Sequence, residues 1–142
     1  MKFGILMIGI ICIIPGFCCI GCDIDAVRTG EITYQVTGAD PEVEKIVLNW
    51  YPSGEESFYY EAPLPWEISF SYEVKNFHPV SFDAKITAYK YRGLDAYIKK
   101  VDPDGIITVE ILVDGTVVAS HNSSDLPFNT FAECSKSIRL EY

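Results

Sequence analysis

Ile106–Ser120 reads IITVEILVDGTVVAS, and this stretch decides the fold. Two runs rich in β-branched residues flank Asp114-Gly115. An Asp-Gly pair between alternating apolar residues predicts a tight hairpin, because a type I′ turn needs positive φ at both central positions. The alternation puts Val109, Ile111 and Val113 on one face and Thr108, Glu110 and Leu112 on the other. Val117 and Val118 begin the return strand. So apolar a ribbon is not stable alone. It calls for more strands and a second sheet to cover it.

The rest of the chain supplies them. Glu31–Thr37 reads as a first strand, and Lys45–Tyr51 as a second with Ile46, Leu48 and Trp50 on one face. Ser57–Glu61 is an aromatic third, and Trp66–Glu73 follows with Trp66, Ile68, Phe70 and Tyr72 in alternation. Pro63-Leu64-Pro65 separates these two, since proline cannot donate to a central ladder. Val80–Lys90 alternates most cleanly, with Val80, Phe82, Ala84, Ile86 and Ala88 inward. Tyr91–Gly105 reads as a long loop with a helical turn at Leu94–Lys99, ending in the turn signature Asp102-Pro103-Asp104-Gly105. His121–Leu126 reads as polar loop. Phe128–Cys134 and Ser137–Tyr142 close the sheet. Seven or eight short strands with turn residues between them predict an all-β fold, an immunoglobulin-like antiparallel β-sandwich. The expected division is a signal or anchor segment at 1–21, a tether at 22–30 and the sandwich at 31–142.

The 142 residues carry a net charge of −9, and all twenty Asp and Glu lie after residue 22. Such acidity repels nucleic acid phosphates and anionic headgroups, so no nucleic acid partner is expected. Cys12, Cys18, Cys19 and Cys22 crowd the first 22 residues and leave Cys134 alone in the body. Once residues 1–21 are removed, no disulfide can form inside the sandwich.

Residues 1–22, MKFGILMIGIICIIPGFCCIGC, have the layout of an export signal: one Lys, an apolar run, a Pro-Gly break and small residues. Cys19-Ile20-Gly21-Cys22 resembles a lipobox, which would lipidate Cys22 and make it the new N-terminus. Its first position is usually Leu and here is Cys. The run is also long enough to stay as an uncleaved span of about 20 residues, or to be removed in simple secretion. Each alternative places the sandwich on the extracytoplasmic side, and the first two hold it at the cell membrane.

Ile32-Thr33-Tyr34-Gln35-Val36-Thr37-Gly38, Leu64-Pro65-Trp66, Val109–Val117 and Cys134 occur in an order that resembles the MmpS family of small mycobacterial membrane proteins and similar bacterial domains. The resemblance covers about residues 31–135. It implies a β-sandwich on an N-terminal membrane anchor and an accessory role beside an RND-type transporter. It offers no catalytic residue and no cofactor. Members often pair the terminal Cys with one just before the hairpin, and here Val109 holds that place. A bridge worth about 2–4 kcal/mol is thereby replaced by apolar packing.

The residues alone point to binding rather than catalysis. His78 and His121 both read as turn residues without a ligand set. No nucleophile is paired with a base. Asp102-x-Asp104-Gly105 lacks the further acids of a calcium loop and reads as a turn. Asn122-Ser123-Ser124 is a glycosylation sequon by pattern only. Trp50 and Trp66 read as core. Tyr51, Tyr59, Tyr89 and Tyr91 read as opposite, or ambiguous to, the core and form the candidate partner or ligand surface, since tyrosines offer contact area at low entropy cost. The expected activity is that of a non-enzymatic membrane-anchored accessory domain. The alternative is a stand-alone envelope lipoprotein binding carbohydrate, lipid or an adhesion partner.

Overall fold

The computed structural model describes residues 27–50, 54–75, 78–125 and 130–141. Eight strands make two antiparallel sheets: β1 (Val27–Gly38), β2 (Glu42–Asn49), β3 (Glu56–Pro63), β4 (Trp66–Lys75), β5 (Val80–Tyr89), β6 (Ile107–Val113), β7 (Thr116–Asn122) and β8 (Phe131–Leu140). One sheet has the order β4-β1-β6-β7 and the other β3-β2-β5-β8. A short helix, α1 (Leu94–Lys99), lies between β5 and β6, where the sequence predicts a helical turn.

The β6–β7 hairpin forms as its sequence dictates. Asp114 has φ 50° and Gly115 φ 76°, both positive. Ile107, Val109 and Ile111 are fully buried, and they face Ile46, Leu48, Ala84, Ile86 and Ala88 of the second sheet. Tyr34 of β1 crosses the core, and its hydroxyl donates to Asn49 O at 3.1 Å. Trp50 stacks on Phe70 with ring centroids 3.9 Å apart, so the expected core role of Trp50 holds. Cys134 is buried, and its Sγ lies 3.7 Å from Val109 O across the two sheets.

Several boundaries differ from the sequence reading, two of them with consequences. The first strand begins at Val27, because Val27–Gly30 pairs with Tyr72–Lys75 of β4; residues 27–30 are ladder rather than tether. The hairpin's return strand runs on through His121 and Asn122, which pair with Val109 and Thr108; polar residues are tolerated there because β7 is an edge. His121 is thus a strand residue, while His78 does sit by a turn, its N–H bonded to Lys75 O at 3.0 Å. The two closing segments form the single strand expected of them, with a register to β5 that is unbroken from Phe131 to Leu140.

The sandwich has two distinct ends. Val27, Lys75, the Asp114-Gly115 turn and Glu141 lie at one: Arg28 reaches both Asp114 Oδ2 at 3.1 Å and Glu141 O at 3.0 Å. Gly38, Asp40, α1, Ile107 and Phe131 lie at the other. There Gly38 pairs with Ile107, Asp102 N–H donates to Asp40 Oδ1 at 2.8 Å, and Lys90 N–H donates to Thr130 O at 2.9 Å. These are the near end and the far end relative to Val27. Among the described residues no helix is long and apolar enough to cross a membrane.

Candidate functional site

The outer faces of the two sheets differ in chemistry. On β4-β1-β6-β7 the outward side chains bond to one another: Thr33 with Ser69 at 2.8 Å, Gln35 to Glu67 at 3.3 Å, Ser120 to Glu110 at 3.1 Å. That face is mainly polar, with Val27 and Val117 as its exposed large apolar side chains. On β3-β2-β5-β8 the registers set Tyr60, Lys45, Tyr89 and Phe131 in one row across all four strands. The adjacent row begins with Phe58 and Val47. The Lys45 ammonium sits 4.8 Å from the Tyr89 ring centre and 5.9 Å from that of Phe58, a cation–π cluster worth about 0.5–1 kcal/mol at such exposure. Tyr89 also leans on Phe131 at 5.8 Å. Tyr60 remains 69% exposed.

This aromatic row lies at the far end, beside the β5–β6 connection. That connection is pinned from below by Lys90. Its ammonium donates to Pro103 O at 3.1 Å and to Gly105 O, and lies 3.9 Å from Asp40 Oδ2. Lys90 and Asp40 are both almost wholly buried. Asp102 and Asp104 close the turn expected there, with Asp104 N–H bonded to Asp102 Oδ1 at 2.9 Å. Above it, Tyr91, Ala96 and Val101 form a small satellite core. Lys99 ties α1 to the sheet through Glu61 at 2.8 Å and Glu42 at 3.2 Å. Those bonds raise the Lys99 pKa, Glu61 contributing first, and the Lys99 bond holds Glu61 below the usual carboxylate value. Leu94, Tyr97 and Ile98 point into solvent from this pinned helix.

The four tyrosines named from the sequence do not form one surface. Tyr89 points outward, as expected. Tyr59 points inward and meets the Trp66 ring at 4.9 Å; it pairs with Ile46, whose side chain is core, so its neighbours Phe58 and Tyr60 take the outer face. Tyr91 is only 7% exposed, because α1 folds over it. Tyr51 and the lipidation candidate Cys22 lie outside the described residues. Sequence reasoning missed Phe58 and Tyr60 by one residue of register. It also passed over Leu94, Tyr97 and Ile98, although their i, i+3, i+4 spacing was visible.

Cys134 faces the core, and burial, followed by Glu110 and Glu133, pushes its thiol up to about 12. Among the described residues no group of three or more His, Cys, Asp or Glu is placed to hold a metal ion. The chain matches no protein family model and no curated protein.

Proposed function

We propose that this chain is a non-enzymatic binding domain of the cell envelope. Residues before Val27 hold it at a membrane, through a lipid on Cys22 or an uncleaved anchor, with the sandwich on the extracytoplasmic side. The far end of the sandwich then meets a partner. One observation carries this reading: the most exposed large apolar side chains, Tyr60, Leu94, Tyr97 and Ile98, gather at the end opposite Val27, whereas Val27 and Val117 at the near end are less exposed. Exposed apolar clusters on small domains mark interaction sites. The resemblance to MmpS proteins makes an RND-type transporter the expected partner. A second reading, an envelope carbohydrate-binding module, draws on the Tyr60–Tyr89–Phe131 row, since aromatic rings on a flat sheet face can stack on sugars.

Mild crosslinking of the native chain in its own membranes, with mass spectrometry of the N-terminus and of co-purified proteins, tests both parts. The expected result is an acylated Cys22 or an intact N-terminal segment, with a transporter subunit joined to the far end. A soluble, unanchored chain would remove the membrane role. An anchored chain with no partner, together with binding to a glycan array, would shift the function to the carbohydrate module.

A further inference from the structure

Leu94, Tyr97 and Ile98 stand at i, i+3 and i+4 on α1, the spacing of one helix face. On a helix packed against a domain, the apolar face turns to the core. Here it turns outward: the three side chains are 72%, 83% and 63% exposed, and only Ala96 of the helix is buried. Six residues do not hold a helix unaided. This one is held by Ala96 against Tyr91 and Val101, by Lys99 on Glu42 and Glu61, and by the left-handed Lys100, whose N–H returns to Tyr97 O at 3.2 Å. No part of that framework uses the side chains of Leu94, Tyr97 or Ile98. They are presented by it.

We infer that α1 is a plug whose apolar stripe enters a groove of a partner protein, apolar at its floor and acidic at its rim. This deepens the reading above and rests on it. Short helical stripes at i, i+3 and i+4 are the anchors by which grooves capture helices. The charge around the stripe names the rim. The chain as a whole is at −9, yet residues 90–100 hold Lys90, Arg92, Lys99 and Lys100 against the single acid Asp95. Lys90 is buried and Lys99 is committed to two glutamates, which leaves two exposed cations beside the stripe, Arg92 and Lys100, against one exposed acid, Asp95. A basic rim would meet like charges there, at a cost in affinity; an acidic rim pairs with them. The helix is formed before contact, so little ordering opposes binding.

Apolar residues with flanking cations also suit an anionic bilayer. The geometry disfavours it. β1 spans about 36 Å at 3.3 Å per residue and separates Val27 from the α1 end. A membrane holding the segment before Val27 therefore lies at the opposite end.

The test places a photo-crosslinking residue at Tyr97, and separately at Tyr60, in the full-length chain in its own membranes. The expected result is a protein adduct at position 97, on a peptide whose apolar residues are bracketed by Asp or Glu. Leu94→Ser with Ile98→Ser should abolish it, and Arg92→Glu with Lys100→Glu should weaken it about tenfold or more. Neither pair touches the core, and circular dichroism checks that each variant stays folded. Lipid adducts alone at position 97 would overturn the plug in favour of the bilayer. Protein adducts indifferent to both variants would overturn it as well. Capture at Tyr60 but not at 97 would discard the plug and keep the far-end reading; capture at neither would end both.

Discussion

The Tyr72 hydroxyl donates to Asp114 Oδ2 at 2.7 Å, joining an interior strand residue to the hairpin turn. The same carboxylate accepts the Glu31 N–H at 2.9 Å and pairs with Arg28. The residue that makes the turn thus also docks it on β1 and β4. Tyr72 and then the Glu31 N–H hold the Asp114 carboxyl below its ordinary value, while burial, and then Asp114, raise the Tyr72 hydroxyl. Asp114→Ala should cost about 1–2 kcal/mol in urea unfolding, whereas Asp114→Asn, which keeps the turn, should cost less. A carboxyl depressed in the folded state stabilises above its unfolded value near 3.8 and loses that contribution as pH falls through the folded one. Wild-type stability should therefore drop below about pH 4 more steeply than that of Asp114→Asn.

Gly30 lies under this junction. A Cβ there would collide with Asp114 Oδ1 and the Tyr72 phenol. Gly30→Ala should lower the unfolding midpoint, and in a Tyr72→Phe background the loss should shrink, because the hydroxyl is one of the colliding atoms.

Cys134 is 8% exposed and its thiol is pushed up to about 12 by burial first. Alkylation of Cys134, followed at its own peptide by mass spectrometry, should be negligible at pH 8 and should rise only with global unfolding. Its contact with Val109 gives a second test. Val109→Cys should form a disulfide with Cys134 in the oxidised protein, adding about 2–4 kcal/mol. A reduced pair after mild oxidation would show that the two sheets are too far apart at this point.

Lys90 is the only ammonium close to Asp40 Oδ2 among the described contacts. Lys90→Met strands that oxygen in the interior and should cost about 3–5 kcal/mol, the range for removing one member of a buried pair. Lys90→Met with Asp40→Leu should recover part of the loss. Hydrogen exchange should place the damage at residues 101–107, where Lys90 holds the carbonyls of Pro103 and Gly105.

The tie between α1 and the sheet is an exposed one. Glu61 is depressed by Lys99, so its share is present above about 4.5 and fades as pH falls; Lys99 is raised by Glu61 and Glu42, so its share is present below about 10.5 and fades as pH rises. Protection factors of the Tyr97 and Lys100 amides should be highest between these limits. Lys99→Ala should lower them there while leaving the global midpoint nearly unchanged.

Strand existence was legible wherever alternation was long. Ile46 and Leu48, the Trp66–Tyr72 series and the Val80–Ala88 series all face inward as their pattern requires. The short aromatic run Phe58-Tyr59-Tyr60 carries no alternation of its own, and only pairing with β2 decides which rings are outside. Tyr91 follows a strand whose parity points it outward, yet it is buried, because the helix that begins three residues later folds back over it through Ala96 and Val101; strand alternation does not carry that information. The Lys90–Asp40 pair joins residues 50 positions apart and was equally silent.

β1 is hydrogen-bonded along both edges, to β4 and β6, and runs from one end of the molecule to the other. Tension between Val27 and the α1 end acts along the strand axes. Both ladders then bear it in shear, with many bonds loaded at once instead of opening one after another. The fold is thereby suited to transmit force lengthwise, and a pull applied across the strands at the β7 edge should unzip it at far lower load.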